Sequence, residues 1–122
     1  MMTIGEVIDA LERAKPDATV VFSFCGVAPS TVHSWRGIYA EAALGFEYEE
    51  RGQQAPTVAD LLVELRTAIE GRTFHGWKGG EYKYDRSTPL HIDNSGCWTS
   101  TELFRIQASD YQVILHTAKE DH

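Results

Sequence analysis

Cysteine is scarce in this chain of 122 residues, which has only Cys25 and Cys97. The two thiols form no Cys-X-X-Cys motif, and they are too few for a disulfide framework or a four-thiolate zinc site. We expect both cysteines to be reduced and structural, with Cys25 acting as a small buried hydrophobe rather than as a nucleophile.

Positively charged residues are also few. The chain carries 11 Lys and Arg residues against 18 Asp and Glu residues, which gives a net charge of -7. Such a chain repels a long polyanion, so we expect no polymeric DNA or RNA as a partner. A small anionic ligand remains compatible with this charge, because a few arginines in one pocket outweigh the global field within a Debye length of about 8–10 Å.

Long apolar runs are missing as well. No run approaches the roughly 18 residues of a membrane span, and residues 1–20 carry Glu6, Asp9, Glu12 and Asp17 instead of the apolar stretch of a signal peptide. We therefore expect no membrane association and a protein that stays in the cytoplasm where it is made. The Met1-Met2 pair leaves the true start residue open.

The usual signatures of catalysis and metal binding are lacking too. There is no GxSxG, Walker or GxGxxG motif, and Gly76-Trp77-Lys78-Gly79-Gly80 has glycines and a lysine without Walker spacing. No histidine stands in HxH, HExxH or Cys/His ligand spacing; the five are His33, His75, His91, His116 and His122. We expect no metal, no cofactor and no enzymatic activity.

Two helix signatures of the same kind are present. In each, a threonine is followed three residues later by a carboxylate, as in a capping box: Thr3 with Glu6, and Thr57 with Asp60. Apolar residues then recur with the i, i+3, i+4, i+7 spacing of an amphipathic helix. The pattern predicts helices over residues 4–14 and 58–70.

Elsewhere the apolar residues alternate, which is typical of strands. The alternation predicts strands over residues 19–24, 81–85, 89–93, 101–107 and 111–117. The last two are joined at 108–110 by residues with the turn chemistry of a hairpin. On the strand at 101–107, Phe104 and Ile106 share one face, and Leu103, Arg105 and Gln107 share the other, away from the core.

The order of these elements predicts the fold class. Two helices beside runs of short strands, without regular βαβ alternation, are typical of an α+β fold in which two amphipathic helices pack on a largely antiparallel sheet. With 43% hydrophobic residues and no linker, residues 1–122 are expected to form a single domain. Residues 49–54 are expected to form a polar loop.

Several segments combine aromatic, cationic and amide side chains. Arg36 stands between Trp35 and Tyr39, and residues 77–86 add further aromatics, cations and glycines. Arginine grips phosphate and stacks on rings, so this inventory suits a nucleotide-like ligand. The alternative is that the aromatics pack a core and the cations are simply solvated.

It is on these segments that the chain resembles a known family, the type-one Thoeris anti-defence proteins of bacteriophages. The resemblance covers almost the whole chain and rests on the order and spacing of short segments. They are Thr3-Ile4-Gly5-Glu6, Trp35-Arg36-Gly37-Ile38-Tyr39 running into Ala43-Leu44-Gly45, Thr57-Val58-Ala59-Asp60-Leu61-Leu62, Gly71-Arg72-Thr73-Phe74-His75-Gly76-Trp77-Lys78-Gly79-Gly80 and Thr88-Pro89-Leu90.

The resemblance implies a sponge that sequesters a signal without cleaving it. Members of the family bind the cyclic ADP-ribose isomers that TIR-domain enzymes make from NAD in the host cytoplasm, and some relatives also take up cyclic oligonucleotides at separate sites. They assemble as homodimers, sometimes as hexamers, with the cyclic ADP-ribose pocket between protomers. The same dimeric or hexameric state is therefore expected here.

The resemblance also assigns ligand-binding roles. Tyr84 would stack on the adenine, Asn94 would hydrogen-bond the base or ribose, and Arg36 and Arg105 would neutralise the pyrophosphate. Three further aromatics would be supporting walls of the pocket or part of the core: Tyr39, Phe74 and Trp77.

One stretch departs from the family pattern. After Thr88-Pro89 the family is more aromatic and apolar, whereas this chain has His91 and Asp93 at alternate positions. A carboxylate facing a pyrophosphate would oppose binding, so we expect Asp93 to point away from the pocket or the ligand to differ. Two other functions stay open: an enzyme that degrades the cyclic nucleotide, and an acidic inhibitor that binds a host defence protein.

Overall fold

A computed structural model describes residues 2–23, 28–35, 38–45, 55–70, 74–75, 81–93 and 102–117. The helices among them are α1 (Ile4–Glu12) and α2 (Val58–Ile69). The strands are β1 (Thr19–Phe22), β2 (Thr31–Trp35), β3 (Ile38–Gly45), β4 (Phe74–His75), β5 (Glu81–Tyr82), β6 (Leu90–Ile92), β7 (Arg105–Ala108) and β8 (Gln112–His116).

Both helices begin at the predicted capping boxes. The backbone N–H of Glu6 donates to Thr3 Oγ1 at 3.2 Å, and the Thr3 N–H donates to Glu6 Oε1 at 2.9 Å. Thr57 and Asp60 exchange the equivalent pair of bonds, each 3.1 Å long. The reciprocal bonds satisfy N–H groups that lack a partner within the helix, which is why both helices start where the sequence predicts.

Helix α1 ends earlier than predicted. The N–H groups of Arg13 and Ala14 bond to the carbonyls of Ala10 and Leu11, three residues back, so the last turn tightens before residue 14. Helix α1 packs against α2, and an ion pair between Glu12 and Arg66 joins their exposed sides. Both predicted helices are confirmed, with ends shifted by one or two residues.

Three sheets are present among the described residues. One has the order β1-β8-β7, a second has the order β2-β3-β6, and β4 and β5 form a two-stranded ribbon. Pairs β2–β3, β4–β5 and β7–β8 are antiparallel, whereas β1–β8 and β3–β6 are parallel. The α+β class is confirmed, but the strands form separate sheets, and the two three-stranded sheets are mixed.

Chain connectivity explains the parallel pairs. A parallel pair needs a long crossover, and helix α2 lies in the connection between β3 and β6. Periodicity reports only the local conformation of a strand, so the sequence does not disclose which distant strand becomes its neighbour.

The C-terminal hairpin forms as predicted. Arg105 pairs with His116 and Ala108 with Val113, and Ser109 N–H donates to the Gln112 carbonyl at 2.9 Å across the turn. The prediction that Leu103 lies on the face away from the core is wrong. Its side chain is buried, while Phe104, predicted on the opposite face, is 41% exposed. The strand begins only at Arg105, so alternation cannot be extended back to residues 103 and 104.

A single apolar cluster joins the helices and the two larger sheets. Its members from the helices include Ile4, Val7, Ile8, Leu11, Val58, Leu61 and Leu65, and those from the sheets include Val20, Phe22, Leu44, Leu90, Ile92, Val113 and Leu115. Helix α2 also covers the edge of the second sheet, because Glu64 Oε2 accepts from the backbone N–H of Val32 at 2.9 Å. The helices therefore anchor both sheets.

The turn before β6 closes against the start of α1. Asp85 accepts from the Ser87 hydroxyl at 2.7 Å and from the Ser87 N–H at 2.8 Å, and these bonds lower the pKa of Asp85. This turn explains why β5 ends at Tyr82 rather than at the predicted residue 85. The Thr88 carbonyl in turn accepts from Ile4 N–H at 2.9 Å, which satisfies one unpaired donor of α1.

Three expectations fall outside the described residues. They concern Cys25, Cys97 and the polar loop at residues 49–54.

Candidate functional site

The sheet β2-β3-β6 has one apolar and one polar side. Val32, Ala42, Leu44, Leu90 and Ile92 belong to the core. In the register of the sheet, His33 lies opposite Ala43, and Ala43 lies opposite His91. Opposed residues, and residues two apart along a strand, share a face. The other side of the sheet therefore carries a set that we call the polar face: His33, Glu41, Ala43, Gly45, His91 and Asp93.

A histidine–carboxylate pair lies at the centre of the polar face. His91 Nε2 hydrogen-bonds to Glu41 Oε1 between strands β6 and β3. The His91 side chain is only 10% exposed, whereas that of Glu41 is 35% exposed. A carboxylate that holds one ring nitrogen orients the imidazole, and this arrangement serves ligand binding or proton transfer.

A second pair lies at the end of β3. His33 Nε2 and Asp93 Oδ2 are 3.4 Å apart, and both side chains are about two-fifths exposed, at 41% and 40%. Gly45 makes room for this pair, since a Cβ at position 45 would come within 3.0 Å of His33 Nε2. His33 and Asp93 thus lie within ion-pair distance of each other at this end of the polar face.

Tyr84 contacts strand β3 from the apolar core. Its side chain is 4% exposed and belongs to the apolar core, and its hydroxyl donates to the Glu41 carbonyl at 3.4 Å. In the single chain the ring is not open to solvent. Stacking on an adenine, the role that the resemblance implies, would need this ring to be uncovered.

The other predicted residues are spread over the chain. Arg105 is exposed at the start of β7, in the first sheet rather than on the polar face. Tyr39 lies in β3 and Phe74 in β4, and their side chains are outside the described part. Arg36, Trp77 and Asn94 also lie outside the described residues.

Sequence reasoning missed the two histidine–carboxylate pairs as pairs. His91 and Asp93 stood out only as departures from the family pattern, and His33 and Glu41 were not selected. A signal was available, because small or polar residues alternate with apolar ones at 41–45 and at 90–93. Alternation identifies the face of a residue, but only the register identifies its neighbour on the next strand.

Comparison with known proteins gives no match: the chain is similar to no protein-family model, no curated protein and no solved structure. Within the described ranges, no group of three or more His, Cys, Asp or Glu side chains is arranged to hold a metal ion. The same ranges contain no helix with the length and apolarity needed to cross a membrane.

Proposed function

We propose that this protein binds and sequesters cyclic ADP-ribose-type signalling nucleotides made by TIR-domain enzymes, without cleaving them. It would thereby act as a bacteriophage anti-defence protein in the host cytoplasm. The proposed assembly is a homodimer or hexamer with the ligand between protomers, and cyclic oligonucleotides are a second proposed ligand class.

The observation that carries the proposal is the contact among segments that bear the family resemblance. Leu90 N–H donates to the Met2 carbonyl at 3.0 Å, next to Thr3, and Ala42 N–H donates to the Pro89 carbonyl at 3.0 Å. The start of α1, strand β3 and the Thr88-Pro89-Leu90 segment are far apart in sequence but form one connected unit. The segments that carry the resemblance therefore belong to one structural unit, in which the proposed ligand contacts can be organised together.

The length of β3 supports a pocket shared between subunits. Trp35 and Asp93 are the described residues nearest in sequence to Arg36 and Asn94. Trp35 pairs with Ile38 at one end of β3, and Asp93 N–H donates to the Leu44 carbonyl near the other end. This strand has 8 residues, so its ends are roughly 23 Å apart at about 3.3 Å per residue. Two protomers that contribute opposite ends of β3 would bring the proposed Arg36 and Asn94 contacts to one small ligand.

Sequestration requires binding affinity and no chemical step. A nanomolar complex needs about -12 kcal/mol, and stacking, arginine–phosphate bonds and burial between subunits can supply it. Arg105 offers an exposed guanidinium for a pyrophosphate. Protein in excess of signal then lowers the free concentration that an immune effector senses.

The test is to mix purified protein with a filtered extract of TIR-activated cells, recover the protein, heat it, and analyse the supernatant by chromatography with mass detection. Intact cyclic ADP-ribose released only on heating is the expected result. Loss of the signal with appearance of linear ADP-ribose would identify an enzyme instead. No uptake would favour an inhibitor that binds a host protein.

The enzymatic alternative has one structural observation in its favour, the His91–Glu41 pair on the polar face. A positioned imidazole can act as a general base. If the extract shows turnover, the His91→Gln variant decides whether this pair is responsible, because it removes the titrating ring and keeps a hydrogen-bonding side chain of similar reach.

A further inference from the structure

Both edge strands of the sheet β2-β3-β6 are covered by other parts of the chain. At the edge of β2, the N–H of Val32 donates to Glu64 Oε2 of helix α2 at 2.9 Å. At the edge of β6, the N–H of Leu90 donates to the Met2 carbonyl at 3.0 Å. Outward backbone groups of this sheet therefore find partners within the chain, as groups at a protected edge do.

The sheet β1-β8-β7 is covered at one edge only, within the part of the chain that the structure describes. At the edge of β1, the N–H of Val20 donates to the Pro56 carbonyl at 2.8 Å. At the other edge, no described strand or isolated bridge lies beside β7. An open strand edge presents backbone donors and acceptors that can pair with a strand of another chain.

The outward backbone groups of β7 belong to Ile106 and Ala108. Ser109 N–H donates to the Gln112 carbonyl at 2.9 Å, so these two residues form a hydrogen-bonded pair. Hydrogen-bonded and non-hydrogen-bonded pairs alternate along an antiparallel ladder, and the next pair is Ala108 with Val113. The N–H and C=O groups of Ala108 and, two residues earlier, of Ile106 therefore point away from β8.

Exposed aromatic side chains flank this open edge. Phe104, directly before β7, is 41% exposed, and Tyr111, in the turn after β7, is 83% exposed. Among the described residues, the other large apolar side chain with high exposure is Val63 on α2. Exposed apolar surface is therefore concentrated beside the open edge, as at a protein interaction surface.

The charge of β7 suits contact with a second copy of the chain. Each copy carries a net charge of -7, so two copies approach each other most favourably where carboxylates are absent. The sequence of β7 is Arg-Ile-Gln-Ala, which contains one positive charge and no carboxylate. This strand can therefore meet its counterpart without bringing two negative groups together.

The backbone of β7 is also self-complementary. With a two-fold axis through Gln107, Ile106 of one copy lies opposite Ala108 of the other, and these are the residues with outward N–H and C=O groups. An axis through Ile106 would instead place Ala108 opposite Phe104, whose N–H already donates to the His116 carbonyl at 2.8 Å. The axis through Gln107 is therefore the one that pairs the outward groups of both residues.

We propose that β7 pairs antiparallel with β7 of a second copy about a two-fold axis through Gln107, which joins the two sheets β1-β8-β7 into one sheet of six strands. The start of β7 in one copy then meets the turn of the other, so Phe104 and Tyr111 lose contact with water there. Arg105 lies opposite Ser109, so the two guanidinium groups do not oppose each other. The proposal rests on the proposed function for the homo-oligomeric state alone.

The first test is disulfide cross-linking of the full chain without nucleotide. In the proposed register, position 107 faces itself as a non-hydrogen-bonded pair, with a Cα separation of about 4.5 Å that a disulfide can span. Under mild oxidation, Gln107→Cys should form a covalent dimer linked at position 107. Peptide mapping separates this link from any that involves Cys25 or Cys97. Gln112→Cys is the matched control, since Gln112 is also exposed but lies on β8, and it should form no such link.

The second test is sedimentation velocity of two glutamate variants, with folding checked by circular dichroism. Gln107→Glu places two carboxylates opposite each other at the axis, so the dissociation constant of self-association should rise at least about tenfold. The change keeps an acceptor oxygen for the hydrogen bond to His116 Nε2. Gln112→Glu adds the same charge away from the axis and should change the constant by less than about threefold.

Three results would each overturn the proposal. A monomeric parent protein would leave the edge of β7 to an extended peptide of another protein, and a lack of cross-linking at position 107 would exclude the register. Equal effects of Gln107→Glu and Gln112→Glu would place self-association on another surface. Neither test measures nucleotide uptake, so failure here and failure of sequestration are distinguishable.

Discussion

Gly5 and Arg86 contact each other so closely that no side chain fits at position 5. The N–H of Gly5 donates to the Arg86 carbonyl at 3.0 Å, and the Arg86 guanidinium donates back to the Gly5 carbonyl at 3.3 Å. A Cβ at position 5 would lie 2.9 Å from both the Cβ and the carbonyl oxygen of Arg86. This contact joins α1 to the turn that leads into β6.

Gly5→Ala should therefore destabilise the protein. Alanine improves helix propensity by up to about 1 kcal/mol, but overpacking against backbone costs typically about 1–3 kcal/mol, and we expect the second effect to dominate. The measurement is the free energy of unfolding from urea denaturation. Gly45→Ala is the matched comparison, because the nearest atom there is the end of the His33 side chain at 3.0 Å, which can move. An equal or larger loss for Gly45→Ala would contradict this reasoning.

Asp85 should make stability depend on pH in the acid range. Hydrogen bonds from Ser87 lower its pKa in the folded protein. The ionised carboxylate thus contributes stability above the ordinary aspartate pKa of about 3.9, and this contribution is lost as the pH falls through the lowered folded-state pKa. We expect Asp85→Asn to be less stable than the parent at about pH 7 and to approach it at about pH 2. Asp17→Asn, at an exposed position, serves as the control for the general effect of removing one carboxylate.

Tyr84 calls for variants that separate packing from ligand contact. Tyr84→Ala would remove a buried ring at a cost of about 3–5 kcal/mol, so loss of uptake in that variant would say nothing about stacking. Tyr84→Phe keeps the ring and loses the 3.4 Å bond to the Glu41 carbonyl, about 1 kcal/mol or less. If the ring stacks on the ligand, Tyr84→Phe should retain uptake and Tyr84→Leu should lose about 1–3 kcal/mol of binding energy. Equal uptake by both variants, with folding checked by circular dichroism, would remove Tyr84 from the site.

Arg105→Ala should weaken uptake of cyclic ADP-ribose without affecting the fold. The residue is exposed on β7, and a charge-assisted bond to a phosphate contributes about 1.5–3 kcal/mol, which corresponds to at least tenfold in affinity. Isothermal titration provides the measurement, and Lys15→Ala, which removes an exposed charge elsewhere, provides the control. Unchanged isotherms for Arg105→Ala would exclude this guanidinium from the pocket.

The candidate site was only partly accessible to sequence reasoning. The family resemblance implies that Tyr84 is a ligand contact, yet in the fold its ring is core and its hydroxyl donates to the Glu41 carbonyl. The pairs His91–Glu41 and His33–Asp93 join positions 50 and 60 residues apart. No local pattern brings such positions together, because their contact depends on which strands become neighbours.

The sequence by itself determined the elements whose interactions are local. Thr3 with Glu6 and Thr57 with Asp60 lie within one helical turn of each other, so their capping boxes and the two helix starts could be predicted from spacing alone. The hairpin β7–β8 belongs with them, since its strands are adjacent in the chain. The tertiary structure decided the parallel pairing of β3 with β6 and of β1 with β8, and with it the composition of the polar face. The physical reason is that long-range strand pairing depends on how the helices and the shared core bury apolar surface together. Register matters as well, because a shift of one residue would turn each residue of the polar face toward the core.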